Sequence, residues 1–95
     1  MSLDSGGPLG DSGTMQPLPP SVHLIRVDAG KNMARFYGIS LQATLFGEVT
    51  VLRQWGRIGT RGSGLMQTFD AGAAAVLAQD RLAHSKQRRG YHRLL

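Results

Sequence analysis

From Tyr37 to Leu45 the odd positions Tyr37, Ile39, Leu41, Ala43 and Leu45 are apolar, and the even positions Gly38, Ser40, Gln42 and Thr44 are small or polar. An alternation this long fits a strand with one buried and one wet face, and it fits no helix. It makes Arg35–Leu45 a strand in which only Phe36 breaks the pattern. A strand of this kind needs neighbours, and the flanking sequence supplies them. Ser21–Asp28 reads as a short strand followed by turn residues, Ala29-Gly30-Lys31-Asn32. Phe46-Gly47 marks a tight turn into a second long strand, Glu48–Ile58. Gly59–Gly64 holds three glycines and reads as a hairpin loop, and Leu65–Phe69 is a short fourth strand. The period then changes. Ala71–Ala83 is alanine-rich, Asp70 stands where an N-cap would, and Gly90 where a C-terminal stop would. Lys86, Arg88 and Arg89 fall in the last turn, where the helix dipole favours cations. Val76, Leu77 and Leu82 point in different directions on a helical wheel, so no ridge is singled out to face the sheet. Strands first and one helix last imply an α+β fold: an antiparallel sheet of about four strands with one C-terminal helix packed on one face.

The chain has 95 residues, enough for one small domain. A domain this size hides only about 60–65% of its unfolded surface, so its core is expected to be thin. It has no cysteine, which excludes a disulfide framework and cysteine-ligated zinc or iron–sulfur sites. No apolar run approaches the roughly 18–20 residues of a membrane span, and the N-terminus lacks the basic and apolar regions of a secretory signal. The expectation is a soluble cytoplasmic domain with no membrane partner. All four prolines, with Gly6, Gly7, Gly10 and Gly13, lie in residues 1–20, which are expected to be a disordered tail ahead of a domain at 21–95. The tail holds two of the six acids and none of the eleven Lys and Arg, so 21–95 carries a net charge of +7. A charge of that size suits an anionic partner.

Several local patterns point to chemistry and fail on context. Asp4-Ser5-Gly6-Gly7-Pro8 resembles the nucleophile segment of chymotrypsin-like proteases, but the tail offers no oxyanion hole and no oriented histidine base. His23, His84 and His92 form no i, i+4 pair, and no carboxylate stands at metal-ligand spacing to them, so no metal and no cofactor is expected. Gly59-Thr60-Arg61-Gly62-Ser63-Gly64 has the glycines of a phosphate loop, yet it joins two strands rather than a strand and a helix, and hairpin geometry explains it. No carboxylate pair or nucleophile–base pair emerges, and the chain is not expected to be an enzyme.

The informative stretch is Arg53-Gln54-Trp55-Gly56-Arg57-Ile58-Gly59-Thr60. In an extended strand Arg53, Trp55 and Arg57 share one face, and Leu52, Gln54, Gly56 and Ile58 the other. If Leu52 and Ile58 pack on the helix, the two arginines and the indole face outward together. An aromatic plate between two guanidiniums suits a sugar or unstacked base beside phosphates. Gly56 leaves the backbone beside Trp55 open to close approach. The other placement makes Trp55 a core residue covered by arginines through cation–π contact. A second basic feature closes the chain: Lys86, Arg88 and Arg89 lie beside Tyr91, with Arg81 and Arg93 nearby and no acid after Asp80. Cations interleaved with an aromatic residue are a footprint of nucleic-acid backbone binding.

Trp-Gly-Arg followed by an apolar residue, Gly and a small polar residue resembles the signature of the WGR domain family. The order of elements and the ending Lys86-Gln87-Arg88-Arg89-Gly90-Tyr91 are also similar, and the resemblance spans about Val22 to His92. In poly(ADP-ribose) polymerases this module helps recognise DNA strand breaks, its Trp and Arg lying at the DNA end and at contacts with neighbouring domains. Short bacterial proteins made of little more than this domain are known as well, and the chain looks like one of them. No NAD-dependent activity carries over, because there is no room for a polymerase domain; the missing interdomain partners leave the role of Arg57 open. The resemblance and the charge together lead to a non-catalytic nucleic-acid-binding module, DNA rather than RNA, using Arg53, Trp55, Gly56, Arg57, Lys86, Arg88, Arg89 and Tyr91. The alternative is a protein-interaction module that offers the same Trp/Arg face to an acidic protein partner.

Overall fold

A computed structural model describes residues 18–94. Five strands and one long helix follow one another as β1 (Val22–Asp28), β2 (Met33–Ala43), β3 (Val49–Arg57), β4 (Ser63–Phe69), α1 (Gly72–Arg88) and β5 (His92–Arg93). The strands form one antiparallel sheet in the order β4-β3-β2-β1-β5. The α+β architecture expected from the periodicity is present. The fifth strand is an addition: two residues are too short to show a period, and β5 exists because the chain leaving α1 falls beside β1, pairing Leu24 with Arg93 and Ile25 with His92. Among the described residues no helix is long and apolar enough to cross a membrane.

Register decides which residues share a face, because directly paired residues lie on the same side of a sheet. Val22 pairs with Ile39, Ile39 with Arg53, Leu24 with Tyr37, and Tyr37 with Trp55. The core is made by Val22, Leu24, Tyr37, Ile39, Val49, Val51, Ala75, Ala83 and Tyr91, with Leu18, Leu41, Phe69, Ala78 and Leu82 packed around it. The alternation of β2 therefore points its odd residues at the helix as far as Leu41. Leu45 lies beyond the strand, in the turn, and is 97% exposed.

The helix meets the sheet through Ala75, Gln79 and Ala83, spaced four residues apart on one ridge. Alanines let the axis approach closely, and this explains why the larger Val76, Leu77 and Leu82 mark no stripe. Buried Gln79 reaches the carbonyl oxygens of Ile39 and Pro20, each at 3.4 Å. Residues 18–20 thus lie against the domain, Leu18 by packing and Pro20 by this bond. The expected disorder of the tail, and the protease-like Asp4–Pro8 pattern, otherwise fall outside the described residues.

Asp70 does not cap the helix. The N-cap is Ala71, with no side-chain bond to the first turn. Gly72, the first helical residue, lies over β3, where a Cβ would stand in ordinary contact, 3.6 Å, with Val49 Cγ2. At the other end Gly90 has φ +96°, its N–H donates to the Gln87 carbonyl, and the Tyr91 N–H donates to the Lys86 carbonyl. This Schellman closure, as the glycine led one to expect, turns the chain back and drives Tyr91 under the helix end.

Candidate nucleic-acid interface

The placement of the Trp-Gly-Arg strand reverses one of the two arrangements open to the sequence. Arg53, Trp55 and Arg57 share the face of Val49 and Val51, which is the face α1 covers, while Leu52, Gln54 and Gly56 lie on the opposite face with Phe36 and Met66. The reason is length. The helix covers only part of the sheet, and β3 runs past it, so one side of one strand supplies core residues at Val49 and Val51 and site residues from Arg53 onward. Trp55 marks the transition: it is 36% exposed, its ring stacked on that of buried Tyr37 with centroids 6.1 Å apart and planes 24° apart. Tyr91 meets the same Tyr37 edge-on at 6.4 Å. An aromatic shelf therefore runs from the core to the surface.

Cations gather around the shelf. Lys86 Nζ lies 4.7 Å from the centre of the Tyr37 ring and 5.6 Å from that of Tyr91. Its pKa is lowered from the ordinary 10.5, first by burial and then by the positive charges of Arg89, Arg53 and Arg35. The register adds a row that sequence reading missed. Arg26 pairs with Arg35, and Arg35 with Arg57, so three arginines stand side by side in register on one face of β1, β2 and β3. Like charges directly opposite one another destabilise a sheet. Arg26 also lies against the helix closure, where a Cβ on Gly90 would stand 3.2 Å from its Nε. The signal was available in principle: pairing the alternating strands Arg35–Leu45 and Glu48–Ile58 through the Phe46-Gly47 turn already sets Arg35 near Arg57. Arg26 needed the register of β1, which no sequence feature fixes.

A cavity of about 420 Å³ opens at this end of the sheet, lined by Lys31, Arg35, Trp55, Arg57, Lys86 and Tyr91 among others. Of the residues selected from sequence, Trp55, Gly56, Arg57, Lys86 and Tyr91 come together here. Arg53 and Arg89 stand near enough to Lys86 to act on its charge. Arg88 does not join them: two residues after Lys86 it is turned about 200° around the helix, and it is exposed. Tyr91 is only 9% exposed, so it forms the back wall. Gly56 has a different reason from the one expected. A Cβ there would lie 2.7 Å from Gly62 Cα on the face opposite the helix, so the glycine admits the folded-over loop. Gly62 itself has φ +72° and would clash with the Trp55 carbonyl if it carried a Cβ. Gln54 Nε2 donates to the Arg61 carbonyl at 2.9 Å and pins the same loop. The glycines of this hairpin thus brace the strand that carries Trp55. Among the described residues no three His, Asp or Glu side chains converge as metal ligands.

A five-stranded antiparallel sheet with one helix, ending in an aromatic shelf ringed by cations, defines a small α+β module with a cationic, aromatic-walled cavity at one end. The chain belongs to the WGR domain family, whose model matches residues 21–94. It is 38% identical over 91 residues to y4dW of Sinorhizobium fredii, a protein described as uncharacterized; the match covers 96% of this chain and 45% of that protein. The crystal structure of a Bacteroides fragilis protein has the same fold, with a TM-score of 0.67 at 23% identity over 79% of this chain and 19% of that one. The chain therefore spans less than half the length of the curated relative it matches.

Proposed function

We propose that this domain binds nucleic acid, DNA in preference to RNA, at the Trp55–Arg57 end of the sheet, and that it catalyses nothing. The observation that carries the reading is the row Arg26–Arg35–Arg57, with Lys86 beside it and Trp55 at its edge, on a face where Asp28 is the one acid among the described strand residues. A folded domain that holds like charges in register loses stability for it. Phosphates arriving between the guanidiniums relieve the repulsion and accept charge-assisted hydrogen bonds. The half-exposed indole then meets a sugar or an unpaired base.

The test is affinity for a short labelled DNA duplex, its single strand and the matching RNA over about 50–300 mM salt. Four phosphate contacts give a log–log slope of roughly −3 to −4 on duplex and a loss of several hundred-fold across that range. A flat salt response overturns the mechanism, and tighter binding to RNA overturns the preference. An acidic protein captured with little salt dependence, alongside no binding to any nucleic acid, would favour the protein-interaction reading.

A further inference from the structure

The sheet has two edges, and they differ. β5 is two residues long and offers almost nothing for pairing. β4 runs for seven residues, Ser63–Phe69, pairs among the described residues only with β3, and is exposed at every position but the last. Proteins usually guard such an edge with lysine, proline, a bulge or a covering element. β4 has no charged residue and no proline, and its register with β3 is unbroken. Leu65 and Met66 flank the edge on opposite faces, Met66 at 69% exposure.

The absence of charge is uneven across the molecule. The strand residues on the helix-covered face include Arg26, Arg35, Arg53, Arg57 and Arg93 with one acid, Asp28. Those on the other face, from His23 and Ile25 through Phe36 and Leu52 to Met66 and Thr68, include no Lys, Arg, Asp or Glu. Two copies of a domain this cationic repel each other wherever their charged surfaces meet, and β4, uncharged itself and continuous with the uncharged face, brings no charge of its own to such a contact.

We infer that β4 pairs antiparallel with β4 of a second copy, joining two five-stranded sheets into one. Centred on Met66, the two-fold pairing sets Met66 opposite Met66, Leu65 opposite Gln67, Gly64 opposite Thr68 and Ser63 opposite Phe69. A two-fold axis brings the central residue against itself, so any charge there would meet its own kind. The neutral strand meets that requirement, and its free N–H and C=O groups gain partners. Because the axis stands perpendicular to the sheet, both helices and both Trp55 sites lie on the same side. Strand spacing and rise place the two indoles ~25 Å apart, diagonally across the joined sheet.

The experiment is sedimentation of the full chain without nucleic acid over about 5–500 μM, a range suited to an interface smaller than the standard size. The wild-type chain is expected to shift from monomer to dimer. Met66→Lys and Met66→Glu, each tested for an unchanged melting temperature, should raise the dimer dissociation constant at least tenfold when alone. An equimolar mixture of the two should regain association, because opposite charges then meet across the axis. Leu65→Lys gives a second probe on the other face of the strand and should weaken the dimer as well. A wild-type chain that remains monomeric throughout overturns the inference, as does a Met66→Lys chain that dimerises like wild type or a mixture that stays monomeric. Omitting nucleic acid keeps this outcome separate from that of the proposed binding function.

Discussion

Replacing Trp55 with alanine should injure both folding and binding, and the structure sets the size of each. Trp55 is 36% exposed, so nearly two-thirds of it is covered, and its ring stacks on that of Tyr37. Taking ~200 Å² for a tryptophan side chain, ~130 Å² is buried, worth ~3 kcal/mol at ~25 cal/mol/Å². A compact unfolded state already hides some of that area, which brings the expected loss to about 2–3 kcal/mol. In a domain this small such a loss lowers the melting temperature by about 10–20 °C. The exposed third faces the cavity shared with Arg35, Arg57 and Lys86. Losing a stacking contact there should weaken nucleic-acid binding by about 1–3 kcal/mol. The assay pairs thermal melting with duplex titration at a temperature where the variant is still fully folded. Trp55→Phe serves as the control, since it keeps a ring on Tyr37 and should recover most of the stability. A Trp55→Ala protein that melts within a degree or two of wild type refutes the packing argument. One that binds at full strength refutes the contact.

Three further outcomes follow from the same geometry. Arg35→Gln should weaken DNA binding and reduce the salt slope by about one contact; because it relieves repulsion by Arg26 and Arg57, its melting temperature should stay level or rise, by up to about 1 kcal/mol in stability. Gly62→Ala forces a Cβ onto the Trp55 carbonyl at a left-handed φ, and should cost about 1–3 kcal/mol of stability in chemical denaturation. Lys86, whose pKa is lowered on folding, binds its proton more weakly in the folded than in the unfolded chain; relative to Lys86→Met, wild-type stability should therefore rise as pH climbs from the lowered pKa toward 10.5, and a difference that falls over that window refutes the assignment.

Much of the candidate site was legible because it is written locally. Trp55, Gly56 and Arg57 are consecutive, and Lys86 and Tyr91 bracket a glycine that closes a helix. What escaped was whatever pairing creates. Arg26 and Arg35 look like ordinary strand arginines until the register sets them beside Arg57. Arg88 looked like a member of the basic cluster because adjacency in sequence ignores the helical rotation. The close packing of Gly56 against Gly62 is absent from a strand pattern, because it depends on a loop that folds back over the strand.

The α+β class, the four longer strands, the long helix with its Gly90 closure, and the excess of positive charge were all readable along the chain. Each follows from short-range physics: side-chain period, backbone freedom at glycine, and composition. Packing in three dimensions settles which face of β3 meets the helix, that Ala75, Gln79 and Ala83 form the contact ridge, and that Trp55 is wall and surface at once. Those outcomes depend on how far a helix of 17 residues reaches over strands that outrun it. That is a matter of the relative placement of whole elements, and no period along one strand encodes it.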